Sequence, residues 1–175
     1  MKVLFTGAQG TGKTSVMEAL PASWPKIQGV TRKTIAENNL SINKDSTNFT
    51  QKAIFDAYKR ELFVDKDFIS ERSLIDVLAF TRYQYITGKT HKKLLDEQYD
   101  CVREFVQKNP DALYIYFPIE FAPKSDGQRS TDPVYQAEID NFIHGYLNDC
   151  HLKYIRVSGS VKERCQQIQS VVNFE

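Results

Sequence analysis

The segment Gly7-Ala8-Gln9-Gly10-Thr11-Gly12-Lys13-Thr14 constrains the fold of this 175-residue chain more than any other feature. It fits the spacing G-x-x-x-x-G-K-[ST], follows the short apolar run 2–6 and precedes a helical pattern. Small residues let successive backbone N–H groups surround a phosphate at a helix N-terminus, where the macrodipole also favours negative charge. The segment therefore predicts a strand, a phosphate-binding loop and a helix, in that order.

The two polar residues that end this loop have distinct expected roles. Lys13 would bridge the β- and γ-phosphates of a nucleoside triphosphate, and the Thr14 hydroxyl would bind Mg²⁺, which keeps several waters. The alternative is a glycine-rich turn with an incidental lysine. We expect ATP and Mg²⁺ as cofactors. The expected cofactor-binding residues of the loop are Gly7, Gln9, Gly10, Thr11, Gly12, Lys13, Thr14 and Ser15.

The rest of the chain alternates short apolar runs with longer helical patterns, which is typical of an α/β fold. We predict strands at 2–6, 27–30, 67–71, 112–119 and 153–158. Apolar stripes at helical spacing lie between the strands, at 94–106 and 135–150. No linker divides the sequence, so residues 1–175 are expected to form one domain around a mostly parallel sheet.

Composition limits the classes of function. The chain has 41% apolar and 26% charged residues and a net charge of +1, which disfavours non-specific binding to DNA. Its three cysteines form no C-x-x-C motif, so a reduced, cytoplasmic setting is the expectation. No stretch approaches the ~20 apolar residues of a membrane span.

An acid and a base follow the third predicted strand. Because the carboxyl ends of parallel strands lie at one edge of a sheet, Glu71 and Arg72 are expected beside the phosphate loop. Glu71 would order Mg²⁺ or accept a proton from an attacking hydroxyl, and Arg72 would hold an anion near the acceptor. The alternative for both is a surface ion pair. Asp76 fits a capping box with Ser73 as well as it fits a substrate contact.

Three further segments carry candidate residues. Arg32 follows the second predicted strand and would meet an anionic group, unless it is a solvated helix start. Gln51 would cap the helix that begins near Asn48, or present its amide to a base, with Phe55 as a nearby aromatic surface. The non-periodic stretch 121–133 is expected to be a mobile lid, and its Arg129 would neutralise the transferring phosphate.

These residues together resemble the small P-loop kinases of nucleosides and nucleotides, in particular the ribosylnicotinamide kinase-like group and its phage-encoded relatives. The resemblance covers most of the chain. It rests on the phosphate loop and on three shorter blocks. These are Glu71-Arg72-Ser73 with 76–81, Asp126-Gly127-Gln128-Arg129, and 154–160 with Glu163-Arg164. Glu71-Arg72-Ser73 and Phe49-Thr50-Gln51 also resemble blocks of the deoxyribonucleoside kinases.

The resemblance implies a three-layer P-loop NTPase fold, with a five-stranded sheet between helices, and an ATP-dependent phosphotransferase. It implies that Gln51 reads the base, that Arg129 lies in the lid with Asp126 near the substrate, and that adenine lies near Gly159 and Arg164. One departure stands out. Many relatives have an acid just after the second strand, whereas residues 30–33 contain none. Glu71 is therefore the expected base, and Arg32 suggests an acceptor that already carries phosphate.

Two other functions remain open from the sequence. The basic cluster of Lys89, His91, Lys92 and Lys93 would contact the backbone of polymeric DNA if the acceptor were a modified base in DNA. A nucleotide-dependent switch or ATPase would instead act on a protein partner. The expected acceptor is a small nucleoside or nucleotide, with no membrane partner, and the chain is expected to be a monomer or homodimer.

Overall fold

The computed structural model describes residues 1–41, 43–122 and 130–174. Five strands form one sheet in the order β2-β3-β1-β4-β5, and every neighbouring pair is parallel. The strands are β1 (Lys2–Thr6), β2 (Lys26–Ile27), β3 (Phe68–Ser70), β4 (Leu113–Tyr116) and β5 (Tyr154–Arg156). All five predicted strands are present, but β2 to β5 are each shorter than predicted, β2 because Val30 already begins a helix.

Helices cover both faces of the sheet. They are α1 (Lys13–Ala19), α2 (Val30–Asn38), α3 (Asn48–Leu62), α4 (Leu74–Ile86), α5 (Lys92–Lys108), α6 (Pro133–Asp149) and α7 (Val161–Gln169). A short 3₁₀ turn at Asn43–Asp45 precedes α3. The predicted three-layer α/β fold is therefore confirmed.

Alternating side chains of β1 divide the core in two. Val3 and Phe5 pack on the face covered by α1 and α7, whereas Leu4 packs on the face covered by α3 to α6. Successive side chains of a strand point to opposite faces, so β1 is apolar on both. As the central strand of a sheet covered on both faces, β1 delivers the phosphate loop to the carboxyl edge at a fixed position.

The N-terminal caps of α6 and α7 are those that the sequence predicts. Asp132 caps α6 with Pro133 at its first position, and Ser160 forms a capping box with Glu163. Both predictions are confirmed. Among the residues the structure describes, no helix is long and apolar enough to cross a membrane.

Candidate active site

The phosphate loop leaves β1 at Gly7 and enters α1 at Gly12. Gly7 has a φ of 146°, and a Cβ there would lie 2.5 Å from the carbonyl oxygen of Phe117. Gly12, the N-cap of α1, has a φ of 90°. Both positions favour glycine because other residues rarely adopt these backbone angles. The loop thus forms where the sequence predicted it, between a strand and a helix.

Lys13 is bonded to its own loop. Its ammonium group donates to the carbonyl oxygens of Gly7 and Ala8, both at 2.6 Å, and to the Thr11 hydroxyl at 3.1 Å. The side chain is only 6% exposed. The positive charge of Lys13 therefore lies inside the curve of the loop, where the sequence motif predicts that the phosphate oxygens bind.

Asp76 connects the loop to α4. One carboxylate oxygen accepts from the Gly7 N–H at 2.8 Å and the Thr6 hydroxyl at 3.0 Å, and the other accepts from the Ser73 N–H at 2.8 Å. Ser73 and Asp76 form the predicted capping box of α4. Of the two roles considered for Asp76, the structure shows the cap. Its fully buried carboxylate faces protein partners rather than either cavity described below.

Arg164 holds the other side of the loop. Its guanidinium donates to the carbonyl oxygens of Thr11 at 2.6 Å and Gly159 at 2.9 Å, and to the Glu120 carboxylate at 2.6 Å. It also packs over two aromatic rings, those of Phe117 and Phe121. Although burial acts to raise the pKa of Glu120, hydrogen bonds from the Gly159 N–H and Arg164 lower it below its usual value.

A small cavity joins the phosphate loop to the end of β3. It is lined by Gly10, Thr11, Gly12, Lys13, Thr14, Glu71 and Arg72. The prediction that Glu71 and Arg72 lie beside the loop is thereby confirmed as a placement. Thr14 and Glu71 offer a hydroxyl and a carboxylate, the hard oxygen ligands that Mg²⁺ takes in small number alongside waters and phosphates. The residues present therefore fit the expected metal.

A larger cavity of about 120 Å³ lies on the other side of Glu71 and Arg72. Its lining comes from the phosphate loop, α2, the start of α3, the end of β3, α4 and α6. The residues are Gln9, Thr31, Arg32, Ile35, Ser46, Thr50, Gln51, Ile54, Glu71, Arg72, Val77, Phe80 and Tyr135. The wall combines apolar side chains from α2, α3, α4 and α6 with several polar and charged groups, as in sites that bind and orient small polar organic ligands.

Two polar groups in this wall have no partner among the described residues. Both amide atoms of Gln9, a side chain that is 3% exposed, lack a hydrogen bond, and so does Nη1 of Arg72. The Arg72 guanidinium lies over the Phe80 ring, 5.4 Å from its centroid. A buried polar group left unpaired costs about 1–3 kcal/mol, so the wall is incomplete without a ligand.

Gln51 lies in the cavity wall, as the kinase resemblance implied, but its amide is partly occupied. Nε2 donates to the Ser46 hydroxyl at 2.6 Å, and Oε1 accepts from the Thr81 hydroxyl at 3.2 Å. The expectation that Gln51 caps α3 with Asn48 is wrong, because Thr47 is the N-cap. Its contact with a base stays a prediction.

Several other predicted site residues do not line the two cavities or lie outside the described residues. Phe55 is 3% exposed and packs in the core, since α3 turns Gln51 and Ile54 towards the cavity instead. Ser15 is exposed on α1 and does not line the small cavity. Asp126 and Arg129, and most of the predicted lid, lie outside the described residues. Gly159 and Arg164 line neither cavity, so their contact with adenine stays a prediction.

Several residues that shape the site were not predicted from the sequence. Gln136 on α6 donates from Nε2 to the carbonyl oxygen of Gln9 at 2.7 Å, although the two are 127 positions apart. Tyr135, Ser46 and Thr31 line the cavity. The helical period that marked Tyr135 as core gave the right face of α6 but not its contact with the site.

The basic cluster lies at the start of α5. Lys92 and Lys93 pair with Asp96 and Glu97, one turn later on the same helix. Its side chains are exposed, and none of the cluster lines either cavity. A solvated helix surface accounts for it.

Comparisons with known proteins agree with this architecture. A family model described as an AAA domain matches residues 2–164. Deoxyadenosine kinase from M. mycoides with bound dATP superposes with a TM-score of 0.70 and 16% identity, covering 97% of each chain. YorR from Bacillus subtilis, in complex with phosphorylated GDP, gives a TM-score of 0.59 and 13% identity, covering 98% of this chain and 95% of that one.

A third structure, NadR in complex with NAD and AMP-PNP, gives a TM-score of 0.61 at 17% identity, covering 99% of this chain and 51% of NadR. No curated protein sequence matches this chain. The predicted resemblance to P-loop nucleoside and nucleotide kinases is confirmed at the level of the fold.

Proposed function

Given that the chain belongs to the AAA domain family and shares its fold with nucleoside kinases, we propose that it is an ATP- and Mg²⁺-dependent phosphotransferase. It moves the γ-phosphoryl group of ATP to a nucleoside or a (deoxy)nucleoside monophosphate. The structural neighbours support this proposal because their structures hold dATP, dCTP, dCMP or AMP-PNP.

One observation carries the proposal: Glu71 and Arg72 line both cavities. The phosphate loop forms the wall of the small cavity, and the wall of the larger one combines apolar side chains suited to a nucleobase with polar groups. A group transferred between two ligands must pass between their sites. Glu71 and Arg72, which lie at the junction, are therefore the residues nearest to the reacting atoms in this arrangement.

The expected mechanism is positioning with charge neutralisation. A bond forms between phosphorus and the acceptor oxygen while the bond from phosphorus to the leaving oxygen of ADP breaks. Mg²⁺ would supply charge neutralisation on the phosphates, with Thr14 and Glu71 as its nearby protein groups. Lys13 leaves its loop carbonyls for the β- and γ-phosphates, and Arg72 approaches the developing charge from the acceptor side.

Glu71 is the general base in this proposal or orders the metal. No acid follows β2, and the first carboxylate of α2 is Glu37, which is exposed. When the acceptor is a hydroxyl, its proton passes to Glu71. Arg32, in the wall of the larger cavity, attracts the phosphate of an acceptor that already carries one.

The remaining parts of the proposal rest on the sequence. Arg129 neutralises the transferring phosphate from the lid, with Asp126 beside the substrate, and adenine lies near Gly159 and Arg164. The chain acts in the cytoplasm as a monomer or homodimer. Its acceptor is a small molecule rather than polymeric DNA, in line with its net charge of +1.

The test is a transfer assay with γ-labelled ATP and Mg²⁺ against nucleosides, nucleoside monophosphates, nicotinamide riboside and DNA. We expect label in one small acceptor, and a fall in transfer of about 10²-fold for Glu71→Gln. Glu37→Gln serves as the matched control and leaves transfer unchanged. Label in DNA would favour the DNA kinase, and label only in free phosphate would favour an ATPase or switch.

A further inference from the structure

Gln9 belongs to both sites at once. Its backbone is part of the loop that surrounds the donor phosphates, and the residue also lines the larger cavity with Arg72 and Gln51. Among the described residues it is the one member of the loop that lines this cavity. Gln9 therefore lies where the donor and the acceptor approach each other.

The backbone of Gln9 is held in place from another layer. The Gln136 amide donates to its carbonyl oxygen at 2.7 Å, and the neighbouring carbonyl of Ala8 accepts from the Thr11 hydroxyl at 3.0 Å. These bonds hold the backbone of Gln9 and the point from which its side chain leaves the loop. The position of this backbone is fixed in the protein before any ligand binds.

The Gln9 side chain has unused hydrogen-bonding capacity. An amide carries two N–H donors and one acceptor oxygen, and neither end of the Gln9 amide is paired within the described residues. Arg72 Nη1 in the same wall is also unpaired. Buried polar groups in folded proteins are nearly always paired, so a ligand with both a donor and acceptors is the missing partner.

A hydroxyl next to a phosphoryl group has this combination. We propose that Gln9 contacts the reacting groups directly: its Oε1 accepts a hydrogen bond from the acceptor hydroxyl, and its Nε2 donates to an oxygen of the γ-phosphoryl group. This inference rests on the proposed transfer. It also makes the reacting group of the acceptor a hydroxyl, because a fully ionised phosphate has no hydrogen to give to Oε1.

Gln9 forms no covalent bond and transfers no proton in the reaction. The hydroxyl oxygen forms its bond to phosphorus, the bond to the ADP oxygen breaks, and the hydroxyl proton passes to the Glu71 carboxylate. The Gln9 amide only holds the two reacting groups in line. Its contribution to the rate is therefore one of orientation.

The test replaces Gln9 with a side chain of similar size that cannot form hydrogen bonds. Gln9→Met removes two unpaired buried atoms, so the ligand-free protein keeps or raises its unfolding temperature. The affinity for ATP falls by less than about tenfold, the loss expected for one hydrogen bond, because backbone N–H groups still bind the phosphates. The kcat for transfer to the small acceptor falls about 10²-fold.

The control is Gln98→Met in α5. Gln98 is 2% exposed, its Oε1 is also unpaired and it lines neither cavity, although its Nε2 donates to the backbone carbonyl of Gln51 at 3.4 Å. Transfer by this variant remains at the wild-type rate. A second variant, Gln9→Glu, keeps the size but places a negative charge beside the phosphates, and it lowers transfer as Gln9→Met does.

Three results would overturn the inference, and they differ from one another. Wild-type kcat in Gln9→Met, while the wild type transfers label, would overturn the role of Gln9 alone. A lower unfolding temperature together with lost transfer would make Gln9 a structural residue. No label in any small acceptor with the wild-type protein would overturn the proposed function, and the role of Gln9 with it.

Discussion

The two sides of the Glu71 and Arg72 junction differ in how their polar groups are paired. On the phosphate-loop side, Lys13, Asp76 and Arg164 all bond to protein partners. On the side of the larger cavity, the Gln9 amide and Arg72 Nη1 have no partner among the described residues. The unpaired atoms are buried, as are Lys13, Asp76 and Arg164, so exposure does not explain the difference.

This difference separates scaffold from ligand site. Bonds from Asp76 and Arg164 hold the loop in the shape that fits a phosphate, and they cost nothing further when a phosphate arrives. Unpaired groups in the cavity wall destabilise the ligand-free protein and become favourable when a ligand pairs them. Substitutions of Asp76 or Arg164 should therefore mainly lower stability, whereas substitutions of Gln9 or Arg72 should mainly lower the rate of transfer.

The largest effect is expected for Lys13→Met. The substitution removes the positive charge that lies within the curve of the loop, so transfer should fall by at least about 10³-fold. The measurement is the initial rate of label transfer at saturating ATP and acceptor. Lys92→Met, in an exposed ion pair of α5, is the control. A fall of less than tenfold for Lys13→Met would contradict the role of this loop.

A pair of arginine variants compares the two sides directly. Arg164→Met leaves Glu120 and the Thr11 carbonyl without their partner, so the free energy of unfolding should fall by about 3 kcal/mol. Arg72→Met removes a group that is partly unpaired, so stability should change by less than about 1 kcal/mol while transfer falls about 10²-fold.

Chemical denaturation and transfer assays on both arginine variants provide the measurement. A stability loss for Arg72→Met as large as that for Arg164→Met would show that the two sides do not differ as described.

A smaller effect with a defined pH dependence is expected for Glu120→Gln. The pKa of Glu120 is lowered in the folded protein, so its stabilisation is present above the unfolded value of 4.5 and is lost as the pH falls through the folded value. The variant should be about 1–2 kcal/mol less stable at pH 7 and equal to wild type in strong acid.

Thermal unfolding measured from about pH 2 to about pH 7 checks this prediction, because carboxyl groups normally titrate within that range. The control is Glu97→Gln, whose exposed pair with Lys93 should matter little. A constant difference at all pH values would argue against the Glu120 and Arg164 pair as its source.

The smallest effect is expected for the basic cluster. Changing Lys89, Lys92 and Lys93 together to Ala removes exposed charges that lie outside both cavities. Transfer to a mononucleotide or nucleoside should stay within about twofold of wild type. The same triple variant assayed with DNA as acceptor gives the contrast. A large loss of transfer to DNA, with transfer to the small acceptor unchanged, would favour the hypothesis that the protein phosphorylates DNA.

Local signals in the sequence predicted much of this protein. The run 2–6 became β1 with the same bounds, and Asp132-Pro133 and Ser160 with Glu163 became helix caps. These features depend on residues within a few positions of one another. Glu71 was also placed correctly beside the loop, because parallel strands bring their carboxyl ends to one edge.

Predictions failed where a residue had several local options. Gln51 fitted a cap with Asn48, but Ser46 and Thr81 bond its amide in the fold. Phe55 carried an aromatic ring near the expected base site, yet the rotation of α3 turns it into the core. The hydrophobic period fixes a helix face only approximately, and packing against α4 and α5 decides which side chain meets the cavity.

The sequence by itself determined the phosphate loop, the parallel α/β sheet and the acid and base at its edge, because each depends on short spacing or on the handed, parallel order of strands. Only the tertiary structure decided that Gln136 holds Gln9 and that Arg164 holds Thr11, across separations of 127 and 153 residues. No local pattern encodes such bonds, since they arise when separate helices pack on one sheet. The same packing left the Gln9 amide unpaired at the meeting point of the two cavities.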